Sequence, residues 1–144
     1  YFKKFPEIKD YMNLTITSCR KRGYVSNVFG RKIHIKAIND KNFNVRSFQE
    51  RAAINAPIQG SAADIIRLAM IKINQLIEED EKLKARMLLQ IHDELIFECA
   101  EKDEEYVKKT IKEAMVSISN SEHHMFSIPL EVNINSGNNW GEAH

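Results

Sequence analysis

The sequence has little that breaks a chain. Its 144 residues include only 5 glycines and 3 prolines. That excludes collagen-like, Gly/Ser-linker and Pro-rich architectures, and it predicts long elements. Two cysteines, Cys19 and Cys99, cannot build a disulfide framework, and they lack metal-site spacing. Both lie in apolar-periodic segments and read as small buried hydrophobes, with a reducing interior as the natural compartment. No apolar run approaches the roughly 18 residues of a membrane helix, and mean hydropathy is −0.42. The first residues, Tyr1-Phe2-Lys3-Lys4-Phe5-Pro6, lack the apolar core and cleavage site of a secretory signal. Secretion and membrane insertion are therefore not expected, unless the chain is a fragment whose start is missing, and an intracellular location is. Internal repeats and low-complexity tracts are missing too.

What is present is charge, unevenly spread. The net charge is +1. Residues Tyr1 to Lys72 carry 14 Lys+Arg against 5 Asp+Glu, and Ile73 to His144 carry 7 against 15. A basic half suits a polyanion and an acidic half suits cations. Solvated helix faces that differ by chance are the alternative at this point.

Pro6 opens a helix at its first position, and Ile8, Tyr11, Met12, Thr15, Ile16 and Cys19 follow at helical spacing. Lys21, Arg22 and Gly23 end it. Tyr24–Val28 and Lys32–Ile35 alternate as a hairpin, and Lys36–Asn44 read as a loop. A helix over Arg46–Asn55 should be interrupted or kinked at Pro57 and resume from about Ser61 to Glu79. Its second part shows a stripe of Ile65, Leu68, Ala69, Lys72, Ile73 and Leu76. Arg86–His92 and Leu95–Cys99 are two apolar strands around Asp93-Glu94. Asp103 is the expected cap of a helix to Ser119, with Tyr106, Val107, Thr110, Ile111, Ala114, Met115 and Ile118 on one face. Leu130–Ile134 alternates as a last strand. The order predicts an α+β fold with an antiparallel sheet.

Two segments offer chemistry. Adjacent acids on the turn His92-Asp93-Glu94 are suited to a hard cation such as Mg²⁺, but one turn supplies only one or two ligands. Charged hairpin turns are common, so the tripeptide alone assigns nothing. In the second segment, Arg51, Asn55 and Gln59 stand at i, i+4 and i+8 and form one polar helix edge. Such side chains hydrogen-bond sugars and minor-groove base edges. The small residues Ala52, Ala53, Ala56 and Gly60 beside them leave room for a bulky partner. A solvated polar face beside an alanine packing face is the other reading. Arg20-Lys21-Arg22, Arg31, Lys32 and Lys36 are candidate phosphate contacts or solubilising charges.

Taken together the segments resemble one family. Glu50-Arg51-Ala52-Ala53-Ile54-Asn55-Ala56-Pro57-Ile58-Gln59-Gly60-Ser61-Ala62-Ala63-Asp64-Ile65-Ile66, followed by Gln90-Ile91-His92-Asp93-Glu94-Leu95, is similar to the C-terminal part of a family A DNA polymerase, the DNA polymerase I type. The resemblance extends back through Gly23-Tyr24-Val25 and Gly30-Arg31-Lys32, and forward to Asn139-Trp140-Gly141-Glu142-Ala143-His144. It implies an antiparallel palm sheet whose catalytic hairpin packs against long helices. Residues 1–45 would be the end of the fingers, a helix plus hairpin, and 46–144 the C-terminal part of the palm.

The resemblance also implies roles. Asp93 matches the carboxylate that ligates the catalytic metals, and Glu94 its acidic neighbour, nearer to support than to obligatory ligation; both are metal-site candidates and, with His92, catalytic ones. His92 matches a residue close to the primer terminus. Arg51, Asn55 and Gln59 match side chains along the minor-groove side of the primer–template, and Arg46 would lie near the DNA backbone. The implied cofactors are two Mg²⁺ ions whose second carboxylate ligand lies outside this chain. The implied partners are primer–template DNA, deoxynucleoside triphosphates and the missing N-terminal part of the same polymerase, with no membrane.

The minor groove presents acceptors at similar positions in every base pair, which suits a check of pairing geometry rather than sequence. The chain has no Asp-Tyr-Ser-Gln-Ile-Glu-Leu-Arg motif and no Arg…Lys…Asn-Phe-Gly…Tyr-Gly fingers helix, both of which precede this region in the family. Ser61 stands where Thr is usual. A fragment inactive by itself is the expectation. A non-catalytic duplex-binding module and a metal-dependent phosphohydrolase are the alternatives. Richness in Ile, Asn and Lys resembles malaria-parasite organellar polymerases, which implies the apicoplast.

Overall fold

The computed structural model describes residues 4–121 and 124–144. The reading of the first six residues therefore falls partly outside the described residues. The chain divides into two compact units, Tyr1–Asp64 and Ile65–His144.

In the first unit, helix α1 (Pro6–Arg22) begins with proline in its first turn and ends on Gly23 at φ 77°, whose N–H donates to the Cys19 carbonyl. Glycine takes that left-handed cap without the backbone strain a side chain would add, although the space around it is open. Strands β1 (Tyr24–Ser26) and β2 (Lys32–His34) form an antiparallel ribbon with Val25 opposite Ile33. They are shorter than expected because Asn27 to Arg31 are used by the turn: Gly30 N–H donates to Asn27 O, and Asn27 N–H to Arg31 O. Cys19, Val25, Ile35, Ile38 and Ala53 form this unit's core, with Ile33, Ala52 and Ala56 packed on it.

The two expected helices are one. Helix α2 runs from Phe43 to Glu79, 37 residues, with Pro57 inside it. Asn42 starts it early: its Oδ1 accepts the N–H of Asn44 at 2.9 Å and of Val45 at 3.4 Å. An internal proline costs a helix about 3 kcal/mol. Here the alanine face just before it, Ala52, Ala53 and Ala56, packs on the first unit's core, and tertiary burial outweighs that penalty. Residues up to Asp64 belong to the first unit.

In the second unit, α2 buries Ile66, Ala69 and Ile73, so the stripe lies slightly off the one predicted and Leu68 is exposed. Strands β3 (Ala85–Ile91) and β4 (Glu94–Cys99) form the second antiparallel ribbon. A two-stranded ribbon is marginal unless it rests on something. This one lays Ala85, Met87, Leu95, Phe97 and Cys99 on a core of Ile73, Leu83, Val107, Ile111 and Ala114. Helix α3 (Glu104–Val116) has a 3₁₀ turn at each end. Asp103 ends the first of these and makes no capping bond, contrary to expectation, because the 3₁₀ turn has already brought its backbone to helical angles. Tyr106, expected in the core, is exposed and donates its hydroxyl to Asp80.

A third ribbon, β5 (Asn120–Ser121) with β6 (His124–Met125), was not predicted. The expected strand over Leu130–Ile134 is absent. Leu130, Val132 and Ile134 keep alternating burial, and Ile134 packs on the core, but the segment has no ladder partner among the described residues. A short helix α4 (Trp140–Ala143) follows. The class is α+β with antiparallel pairing, as predicted, realised among the described residues as three separate two-stranded ribbons.

Candidate functional site

The β3–β4 register pairs Ile91 with Glu94 and leaves His92-Asp93 as a two-residue turn. Such turns need a positive φ, a position that favours glycine. Here His92 takes it, at φ 52°. A side chain in that region costs on the order of 1 kcal/mol and persists where the surroundings demand it. A bulge between Met87 and Leu89 lies in the same ribbon. The extra residue, Leu88, reverses the alternation, so that Gln90 rather than Leu89 shares a face with Leu95.

His92, Asp93 and Glu94 are all exposed. Gln90 Nε2 donates to the His92 carbonyl at 3.0 Å. Glu94 Oε1 lies 3.2 Å from His144 Nδ1, and the His144 ring meets Trp140 edge-on. Asp93 has no side-chain partner among the described residues. It presents a hard oxygen donor to solvent, the type Mg²⁺ takes. The donor chemistry fits such an ion and the donor number does not complete a site: no group of three or more His, Cys, Asp or Glu side chains gathers among the described residues.

The second set of candidates lies on α2 in the first unit. Arg51, Asn55 and Gln59 are all exposed along one edge. Arg51 Nη1 donates to Ser47 Oγ at 2.9 Å, while the Asn55 and Gln59 amides have no side-chain partner among the described residues. Arg46 is bent over the start of the helix. It donates to the Asp40 carbonyl at 2.9 Å, lies 3.9 Å from Glu50 and sits over the Phe43 ring. Arg20 also pairs with Glu50.

The small residues do not hold space for an outside partner. Ala53 is fully buried, and a Cβ on Gly60 would meet Ile33 Cδ1 at 2.8 Å. The bulky neighbour is the chain's own ribbon. Arg31, a candidate phosphate contact, is paired through Nε and Nη2 with both carboxylate oxygens of Asp64, at 2.8 and 2.9 Å. Hydrogen bonding to Asp64, then its charge, holds the guanidinium above its ordinary pKa. Asn27, Ser61 and Asp64, buried polar residues around that pair, were missed by sequence reasoning. The available signal was an aspartate beside the apolar stripe of a helix.

The sequence profile of DNA polymerase family A matches residues 1–142. The chain belongs to this family. It is 48% identical over 145 aligned positions to DNA polymerase I of Rhizobium leguminosarum, covering all of this chain and 14% of that protein. It is 42% identical to DNA polymerase I of Bacillus caldotenax, covering 99% of this chain and 16% of that one. A solved structure, the POL domain of Pol1 from M. smegmatis in complex with DNA primer-template and dNTP, superposes with a TM-score of 0.89 at 41% identity, over 99% of this chain and 24% of that chain. The chain thus spans about a seventh of the length of the family A relatives it matches. Family A polymerases generally use divalent metal. These relatives are bacterial and lend the organelle expectation no support. No helix among the described residues is long and apolar enough to cross a membrane.

Proposed function

We propose that this chain is one segment of a DNA-directed DNA polymerase that adds deoxynucleotides to a primer 3′ end on a template. What carries the reading is 41% identity over nearly the whole chain to a polymerase domain solved with primer-template and dNTP. Residues 1–45 are assigned to the end of the fingers and 46–144 to the palm. DNA and nucleoside triphosphates as substrates place the parent protein inside the cell.

In this reading Asp93 holds catalytic Mg²⁺, with the remaining ligands supplied from outside the chain and by substrate phosphates. Two bound ions supply activation of the 3′ hydroxyl and charge stabilisation on the leaving pyrophosphate. Asp93 suits the role because no other side chain among the described residues claims its oxygens. Glu94 supports it from the next position, and its tie to His144 fixes the start of β4. His92, held at positive φ, presents its ring beside the primer terminus. Arg51, Asn55 and Gln59 donate to minor-groove acceptors that every correct pair shares. Arg46 contributes positive charge near the DNA backbone.

Asp93→Asn in the full-length polymerase is expected to lower single-turnover extension by about a thousandfold or more, with primer–template Kd within about twofold. Extension at the wild-type rate would sink the assignment. Residues 1–144 alone are expected not to extend a primer, because the chain carries only part of the ligand set; templated extension by the purified segment would contradict this.

A further inference from the structure

The turn of the β1–β2 ribbon is bonded into α2 immediately after Gln59. Asn27, Ser61 and Asp64 there are only 6%, 8% and 7% exposed. Asn27 is fully engaged. Its Oδ1 accepts the backbone N–H of Phe29 at 3.0 Å and of Arg31 at 2.9 Å. Its Nδ2 donates to the Gly60 carbonyl at 3.2 Å and to Asp64 Oδ2 at 2.6 Å. Ser61 Oγ accepts from Val28 N–H at 3.1 Å and donates to the Pro57 carbonyl at 2.5 Å. Asp64 also receives both Arg31 bonds.

This network grips the helix directly after its weakest turn. Pro57 has no N–H, so the Ala53 carbonyl loses its helical donor and the turn from Ala53 to Pro57 is the natural place to bend. The absent Cβ of Gly60 lets Ile33 Cδ1 reach the helix backbone, where a Cβ would stand 2.8 Å from it. Gln59 projects from that same turn. An amide that checks pairing geometry must be held to a fraction of an ångström by what surrounds it.

We propose that Asn27 is a positioning residue for Gln59: with Ser61, Asp64 and Arg31 it locks the helical turn after Pro57 and so fixes where the Gln59 amide meets the primer-end base pair. The inference rests on the role given to Gln59 above. It adds that the ribbon, far from the acidic turn in sequence, sets the accuracy of extension.

The test is single-turnover extension of matched and mismatched primer ends by the full-length polymerase, with primer–template Kd measured alongside. Asn27→Ser should slow matched extension about tenfold and shrink the matched-to-mismatched ratio, with Kd nearly unchanged. Arg31→Lys keeps the charge but loses the fork, and should give a milder loss of about threefold. In a Gln59→Ala background neither substitution should lower the rate or the ratio further, because the residue they position is gone.

A loss that multiplies onto that of Gln59→Ala would overturn the proposal, as would wild-type behaviour of Asn27→Ser while Gln59→Ala is impaired. If Asn27→Ser does not fold, the Arg31→Lys pair decides by the same comparison. Wild-type extension by Gln59→Ala itself would remove Gln59 from the proposed function, and this inference with it, while leaving Asp93 to its own test.

Discussion

The molecule solves one problem twice, in two ways. Both the β1–β2 and β3–β4 ribbons must reverse direction, and both reversals place a residue at positive φ. In the first turn the residue is Gly30, at φ 78°, and in the second it is His92, at φ 52°. The first turn is anchored by buried side chains that leave no hydrogen-bonding capacity of Asn27 unused. The second exposes His92, Asp93 and Glu94 and is tied back at its surface. Where a turn only has to hold, glycine takes the special conformation at no cost. Where a side chain is needed at the tip, a non-glycine residue bears the strain and the neighbours keep it there.

The sharpest way to break this comparison is to remove the first turn's anchor. Asp64→Ala deletes the acceptor of three side-chain bonds and leaves the buried Asn27 amide short of a partner. A cost of about 2–3 kcal/mol is expected, below that of a fully buried pair because the Arg31 side chain is 55% exposed. Native-state hydrogen exchange of the Val28, Phe29 and Arg31 amides reads it directly. Unchanged protection at those three amides would mean the network does not hold the turn.

Next in size is Gly30→Ala. Nothing lies within 4 Å of the Cβ it would add, so the cost is backbone strain alone, about 1 kcal/mol. The same exchange experiment should show that loss confined to the first ribbon. A neutral result would mean the turn relaxes to another conformation without effect, and Gly30 would lose its half of the comparison.

How far the sequence made these differences legible depends on the physics that carries them. Gly23 as a helix cap, the two ribbons and the buried Cys19 follow from local chemistry and periodicity, and all were readable. The unbroken α2 was not, because the penalty of Pro57 is local while the packing that outweighs it is tertiary. The strand expected at Leu130–Ile134 failed for the converse reason: alternation predicts which side chains are buried, and a ladder needs a partner.

At the candidate site, the exposed acids and the polar edge of α2 could be named from motif and spacing. The positive φ of His92 could not, since histidine gives no local signal for it. The Asn27–Asp64 bond joins positions 37 residues apart and appears only once ribbon and helix meet.

A smaller effect sharpens the contrast from the second turn. His92→Gly relieves about 1 kcal/mol of strain and adds a similar unfolded-state entropy penalty, so stability should stay within about 0.5 kcal/mol of wild type. Extension by the full-length polymerase should nevertheless fall several-fold, because the ring proposed to lie beside the primer end is gone. Thermal unfolding and extension kinetics on the same preparation separate the two. A loss of stability as large as that of Gly30→Ala would show that the His92 side chain holds the turn instead of serving its tip.

The smallest effect concerns how the second turn is tied back. Asn139 Oδ1 accepts Glu142 N–H at 3.1 Å, and the Glu142 carboxylate takes bonds from Asn138 N–H and the Asn139 amide at 2.9 and 2.8 Å, a reciprocal cap on α4. The Asn138 backbone N–H, then the Asn138 and Asn139 amides, hold Glu142 below its ordinary 4.5. A depressed carboxylate pKa stabilises the folded form above the unfolded value, and that contribution is lost as pH falls through the lower folded value. Acidification below about 4.5 should therefore loosen α4, and with it the residue pair His144–Glu94. The indole NMR signal of Trp140, which meets His144 edge-on, should shift over that range, and Glu142→Gln should abolish the step. A signal flat down to pH values where every carboxylate is protonated would mean that α4 does not depend on this cap. The second turn would then owe its geometry to the strands alone, and the contrast between a buried anchor and a titratable surface tether would reduce to the one residue at positive φ.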